Sequence, residues 1–426
     1  MNQATRRRLT RASSRRFDWI WTLLLVYVLF EYVRPLDNAL KFLSPLRLGG
    51  LVTLALALGF LLSKKEYLKQ DRIHLFVLAF WMLVAFSTFY APNNRASLDT
   101  AIALLWLFVA FVFPLNLVLT SPERVYRFFF WWIGLQALVG VHVITHGGHG
   151  PGSFLTDEND VGLALNMALP YAIYVARFPD LSARARLLLY GTAGLMLVAI
   201  GVSASRGAVV GLAVLVATAV LLSKRPIRNG IVALAVVVVS IAILVRYLPP
   251  AYVNDMQGID DPNDRTADER LWSWSIGWVM YKENPVLGVG ANNYQWTNHL
   301  YATKSPMYTP ERKILGGRVA HSLYFTLLPE LGTAGVIVFV GLLRQLYSRS
   351  RRLRSIENID RGKALDKAKF ELIGTAMVVS LVAYLVTGAF ISVLYYPPFW
   401  HLVGMVAATY RVAQSYFNLK STPNAA

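Results

Sequence analysis

The 426-residue sequence contains no cysteine, which excludes a disulfide framework and any thiolate metal site. Charged residues are also scarce, at 15% against 55% hydrophobic, a balance foreign to a soluble enzyme with one greasy helix. Acidic residues are the scarcer sign, 24 against 42 basic, for a net charge of +18. No low-complexity tract is visible and no convincing internal repeat, which weakens a transporter built from two similar halves.

What the sequence does have is apolar length. Segments of about 18 mostly apolar residues recur from end to end, each able to cross roughly 30 Å of hydrocarbon. Twelve are expected, at 18–33, 46–63, 73–90, 99–119, 125–145, 161–176, 187–202, 208–223, 229–247, 321–343, 370–392 and 398–416. The expected fold is therefore all-α, a polytopic integral membrane protein with one large outer loop between the ninth and tenth spans.

A strongly basic chain could suggest nucleic acid, but the distribution of charge argues against it. With alternating spans and both termini inside, about 29 of the 42 Lys and Arg fall on the inner side. The outer loop, 246–320, carries eight basic and eight acidic residues and is close to neutral. This is a positive-inside signature, with no nucleic-acid partner expected. The basic arm, 1–17, precedes a segment without a small-x-small cleavage site, so it reads as an uncleaved signal anchor touching anionic lipid. The remaining organisation is spans one to nine within 18–247, an outer loop at 248–320, spans ten to twelve within 321–416 and a short inner tail, 417–426. A charged inner linker, 344–369, is expected as a solvated helix or loop. In the outer loop, "LWSWSIGWVMYKENP" has Trp272, Trp274, Ile276, Trp278, Val279 and Met280 spaced for an interfacial helix.

Candidate chemistry gathers on the outer side. "GVSASRGAVVGL", 201–212, wedges Arg206 between two apolar runs, in a tight turn where Ser203 and Ser205 are both possible N-caps. Gly207 follows at a helix start, where free N–H groups and the dipole favour an anion. Arg270 lies in the outer loop and His321 at its end. Arginine matches phosphate oxygens in pairs, and histidine accepts a proton near neutral pH. A phosphate clamp beside a base suggests glycosyl transfer from a lipid-diphosphate donor. Singly, each has an ordinary reading: Arg206 snorkels to a headgroup, Arg270 sits on a solvated face or in a local ion pair, and His321 caps the next helix.

Supporting candidates are Glu330, Asp157, Asp160, Asn292, Asn293 and Arg318. Glu330 lies nine residues into the expected tenth span, about 14 Å deep if the helix is regular, and either acts chemically or pairs with a neighbouring helix. Asp157 and Asp160, in "FLTDENDVG", either bind a cation or sugar hydroxyls or cap the sixth span. "ENPVLGVGANNY" resembles a phosphate loop superficially, and its glycines are better read as turns positioning Asn292 and Asn293. "GIDDPNDRTADE" lacks calcium-loop spacing. His142, His146 and His149 lie close in sequence but without convincing metal-ligand spacing, so no metal is expected.

In "SASRGAVVGL", "ERLWSWSIGWVMYKENPVLGVGANNY" and "AHSLYFTLLPELGTAGVIVF", in that order, the chain resembles the O-antigen ligase/polymerase superfamily of bacterial envelope glycosyltransferases. The resemblance covers roughly 193–343. It implies about twelve helices and transfer of a glycan from an undecaprenyl-diphosphate carrier at the periplasmic face of the inner membrane, without cofactor, nucleotide sugar or metal. It maps the diphosphate-holding arginines onto Arg206 and Arg270 and the proposed base onto His321. Many members have His-Asn where this chain has His321-Ser322, which puts the histidine's supporting partner in doubt. "GPGSFLTDENDVGLALNMALPYA" is more similar to ligases, whose acceptor is the lipid A core, than to polymerases or protein-glycosylating members. A twelve-helix transporter or flippase is the competing class; it requires charges near the midplane and matching broken helices in both halves.

Overall fold

The computed structural model describes residues 18–63, 71–231, 235, 265–314, 316–357 and 360–419. Among them the structure is helical, apart from an isolated bridge between Gly152 and Leu155. The helices are α1 (Asp18–Tyr32), α2 (Leu48–Leu61), α3 (Arg72–Ser87), α4 (Asn94–Leu107), α5 (Phe113–Val118), α6 (Pro122–Thr145), α7 (Glu158–Val175), α8 (Ala183–Val202) and α9 (Arg206–Leu221), followed by α10 (Arg265–Glu283), α11 (Tyr294–Tyr301), α12 (Tyr324–Arg354), α13 (Ala364–Thr387) and α14 (Pro397–Phe417). Five stretches among the described residues are long and apolar enough to cross a membrane: Asn94–Val118, Pro122–Thr145, Ala183–Val202, Tyr324–Arg354 and Arg361–Phe390. Shorter apolar helices cover most of α1, α2, α3 and α9. The expected arm at 1–17 and most of the expected ninth span, 229–247, lie outside the described residues.

Helix starts follow local chemistry. Asp71, Asn93, Ser121, Asp157, Ser182 and Ser205 each accept a backbone N–H of the helix they precede, satisfying donors that apolar surroundings would leave bare. Residues 108–112 form a π-turn ahead of Pro114, whose missing N–H breaks the regular ladder, so α4 and α5 are one interrupted rod.

The centre of the bundle is α7, almost wholly buried, packed against α8, α9 and α13. Small residues permit that closeness. A Cβ added to Gly162 would meet Ala208 Cβ at 2.4 Å, and one added to Gly211 would meet Thr387 Oγ1 at 1.9 Å. Asn166 Nδ2 donates to Ala208 O (2.8 Å) and to Thr387 Oγ1 (3.3 Å), joining α7, α9 and α13 in the apolar interior. Leu51, Leu54, Leu58 and Leu61 on α2, and Leu75, Leu78, Met82 and Phe86 on α3, are exposed at helical spacing, as a lipid-facing surface requires.

Two expectations change. The linker expected at 344–369 begins as helix, one of its two expected forms, as α12 runs on to Arg354, but it is not simply solvated. Its charges are also partly built into the bundle: Arg349 pairs with Asp71 (2.7 Å) and Lys369 with Asp180 (2.5 Å). Nor is α12 regular around Glu330. It breaks at Gly332 (φ 59°, ψ −161°), a backbone conformation essentially reserved for glycine.

Candidate active site

The break in α12 organises the segment that precedes it. Val289 and Gly290 donate their N–H groups to the carbonyls of Pro329 (2.8 Å) and Glu330 (2.9 Å), while Thr333 and Ala334 donate to Pro285 (2.8 Å) and Val286 (3.0 Å). Residues 285–290 thus satisfy the backbone groups that the break frees. The approach is backbone to backbone, since a Cβ on Gly332 would fall 2.5 Å from Val286 C and O. "ENPVLGVGANNY" is this docking segment, which agrees with its glycines making turns.

Glu330 completes the junction. Its Oε2 accepts the N–H of Asn292 (2.7 Å) and the hydroxyl of Tyr395 (2.7 Å), and its Oε1 accepts the N–H of Tyr294 (3.0 Å). The carboxyl therefore caps α11 from another element; Asn293 makes no side-chain cap there. Asn293 instead donates to Asn93 O (3.1 Å) and Ser97 Oγ (2.9 Å), anchoring the segment to the start of α4. Both groups are buried, and Glu330 also lines the cavity described below.

On α10, the tryptophan-rich stretch makes a small core of its own and leaves Leu271 and Trp278 exposed. Ile276 and Met280 are buried with Tyr294, Trp274 stacks on Phe325 (5.5 Å), and Arg312 lies over Trp272 (5.1 Å). Asp268 pairs with Arg312 (2.8 Å) and Glu269 with Arg318. Arg318 is thereby held beside a smaller neighbouring cavity, not in the main one. Arg270, between these acids and their partners, makes no ion pair among the described residues and lines the main cavity. The local-ion-pair reading thus suits its two neighbours but not Arg270 itself.

That cavity, about 660 Å³, lies beside α4, where α7, α11, α12 and α14 begin and α13 ends. Its lining comes from segments that the expected alternation puts outside and from the outer parts of the expected fourth, tenth and eleventh spans. His321 is held between two anchors: Ala320 O accepts Trp274 Nε1 (3.0 Å), and Leu323 N donates to Gly388 O (2.7 Å). His321 itself has a left-handed backbone (φ 48°), three residues before α12 begins, so it precedes that helix instead of starting it. Its side chain is exposed at the cavity wall yet flanked by protein. That partial burial, followed by the Arg270 cation, lowers its pKa below the usual histidine value, against an opposing pull from Asp157. The ring is neutral at neutral pH and free to accept a proton.

Arg206 opens α9 as an exposed residue at the cavity's rim, not among its lining. Its neighbours fix that place. Ser205 caps α9 by accepting Ala208 N–H (3.1 Å) and donates to Asn159 Oδ1 (2.7 Å), while Gly207 abuts Phe390, where a Cβ would stand 3.0 Å from the Phe390 Cβ. Asn159 and Phe390 both line the cavity. Ser203, the other possible cap, donates back to Ile200 O (2.8 Å) and closes α8 instead.

The acidic lining is largely engaged. Asp157 caps α7 through Asn159 N (2.8 Å), Asp99 pairs with Arg95 (3.1 Å), and Glu330 holds three donors. Buried Asp160 faces the cavity from the first turn of α7. Tyr396 stands close by, with its phenol pushed up to about 12 by burial and by Asp160 and Asp157, so it remains a hydroxyl donor. Asp99, Asn159, Tyr395 and Tyr396 were not singled out from sequence. The tandem tyrosines in "VLYYPPFW", just before a helix start, were the readable signal; Asp99 looked like an ordinary surface acid beside Arg95. The three clustered histidines do not converge: His142 and His146 stack (3.8 Å), while His149 lies 4.0 Å from Glu158.

Residues 191–340 match the family model described as O-Antigen ligase. The matched stretch runs from α8 to α12 and contains Arg206, Arg270, His321 and Glu330, but not the lining from 157–160 or 390–396. None of the curated proteins matches the chain.

Proposed function

We propose that this member of the O-antigen ligase/polymerase superfamily transfers a glycan from undecaprenyl diphosphate to the lipid A core at the periplasmic face of the inner membrane. The observation that carries the reading is the convergence of Arg270 and His321, 51 positions apart, on one cavity with Arg206 at its rim. Arg270 is the lining cation without an ion pair, so a diphosphate entering there meets a guanidinium whose two-pronged N–H fork is unspent. Arg206, at a helix N-terminus, adds a second cation and the positive end of a dipole.

In this mechanism His321 takes the proton of an acceptor hydroxyl. The hydroxyl oxygen forms the new bond to the anomeric carbon as the bond to the carrier's diphosphate breaks, inverting that centre. The diphosphate leaves with both bonding electrons and is held by Arg270 and Arg206. The reaction needs no metal or cofactor. The competing transporter reading is disfavoured by where the groups gather, at one end of the helices and away from their midpoints.

Ligase is preferred over polymerase or protein-glycosylating activity on the similarity of "GPGSFLTDENDVGLALNMALPYA" to ligases. Reconstitution with undecaprenyl-diphosphate glycan and two acceptors, rough lipopolysaccharide and a second carrier-linked repeat, separates them. Product on rough lipopolysaccharide alone is expected; a carrier-linked ladder would replace ligase by polymerase. Arg206→Ala, Arg270→Ala and His321→Ala are each expected to abolish transfer in folded protein. Near-normal turnover in Arg206→Lys would count against bidentate phosphate recognition, and loss of activity with EDTA, restored by a divalent cation, against the metal-free route.

A further inference from the structure

At the opposite end of the same helices lies a second polar cavity, about 450 Å³, between the C-terminal ends of α7, α9 and α12 and the first turns of α13. With 18 residues in α7, it is about 25 Å from the cavity described above. The charge asymmetry of the loops assigns this end to the cytoplasm. Its lining carries five cations, Arg177, Lys224, Arg225, Arg228 and Arg354, and one carboxylate, Glu371.

None of the five makes an ion pair among the described residues, and Glu371 is already 3.7 Å from Lys367. Two other basic side chains at this end are matched, Arg349 by Asp71 and Lys369 by Asp180. Arg354 is the half-buried member of the set, and the other four are exposed around it. Arg177 lies over the Tyr174 ring (5.5 Å), and Arg177 and Arg354 both act electrostatically on the Tyr174 hydroxyl. The Arg354 Nε is buried without a hydrogen-bond partner, a cost that a ligand oxygen would remove. Five cations brought together from three separate helix ends repel one another, a cost that an anion held between them lowers. Leu222, Leu372 and Ala368 supply an apolar wall beside them.

We propose that this cavity is a binding site for a phosphate group, that of an anionic phospholipid in the cytoplasmic leaflet, whose acyl chains would lie along the apolar wall. The site is independent of the transfer chemistry, and its test does not use activity. Purified full-length protein in a neutral detergent is titrated with short-chain phosphatidylglycerol, with phosphatidylcholine and with inorganic phosphate, and saturable binding is read by native mass spectrometry or thermal shift. The expected result is saturable binding of phosphatidylglycerol well above phosphatidylcholine. Arg177 and Arg228 are both exposed, so Arg177→Gln/Arg228→Gln is expected to stay folded and to weaken that binding about 25-fold, roughly fivefold per cation. Arg184→Gln/Arg351→Gln, two exposed basic residues outside the cavity, is expected to leave it unchanged. Equal binding of inorganic phosphate supports a phosphate site but assigns it to a soluble anion. Equal binding of the two lipids, or an equal loss in both double variants, overturns the proposal, because either would mean diffuse attraction without a site.

Discussion

Replacing Glu330 by glutamine separates a positioning carboxyl from a chemically acting one. The carboxyl accepts three bonds, two at Oε2 and one at Oε1. An amide keeps one acceptor: with its oxygen facing Asn292 N–H and the Tyr395 hydroxyl, its NH₂ confronts Tyr294 N–H, donor against donor. The lost bond costs about 1.5–3 kcal/mol, and exchanging a charge-assisted acceptor for a neutral one weakens the other two by about 1 kcal/mol each. The sum, about 3.5–5 kcal/mol, falls on the junction holding 285–294 to the broken helix. At about 2 °C per kcal/mol for a chain of this size, the apparent melting temperature should drop by about 7–10 °C. The assay is thermal unfolding in a fixed detergent, paired with transfer measured well below both melting points. A Gln variant that melts within about 2 °C of the parent yet loses transfer would refute the positioning argument and give the carboxyl a chemical role.

Three further outcomes follow from the same geometry. The acid limb of the transfer rate should lie below the ordinary histidine pKa, because burial and Arg270 depress that of His321 and the neutral ring is the active form. Arg270→Gln should move the His321 ring titration, followed by NMR, to higher pH while Arg270→Lys should not; an unmoved titration in the Gln variant would mean that Arg270 does not act on the ring. Gly332→Ala forces a side chain into a left-handed backbone and onto Val286, so folded, monodisperse yield should fall sharply on size-exclusion chromatography. Asp157→Ala removes the N-cap of α7 and should cost about 1 kcal/mol, or roughly 2 °C in melting temperature. Because Asp157 also favours protonation of His321, the same change should shift the acid limb slightly downward.

Much of this molecule was legible one residue at a time. Apolar runs and the Ser, Asn and Asp residues between them set the helices, because in hydrocarbon the backbone must satisfy itself and a cap is a local device. The same reading put Arg206, Arg270 and His321 on one side, since alternation of spans is arithmetic once the segments are counted. Three things were decided only in three dimensions. Asp268 and Glu269 pair with Arg312 and Arg318, leaving Arg270 for the cavity, and such pairings span more than forty residues with no periodic trace. Glu330, legible in sequence only as either a chemical group or a partner for another helix, holds down a loop whose docking depends on a helix break at a single glycine. The cavity wall at Asn159, Phe390 and Tyr396 comes from helix ends far apart in sequence, brought together because Gly162 and Gly211 let α7, α9 and α13 pack at backbone distance. Hydropathy and capping act within a few residues and can be read along the chain; ion pairing, backbone docking and close helix packing depend on which surfaces meet, and only the tertiary structure decides that.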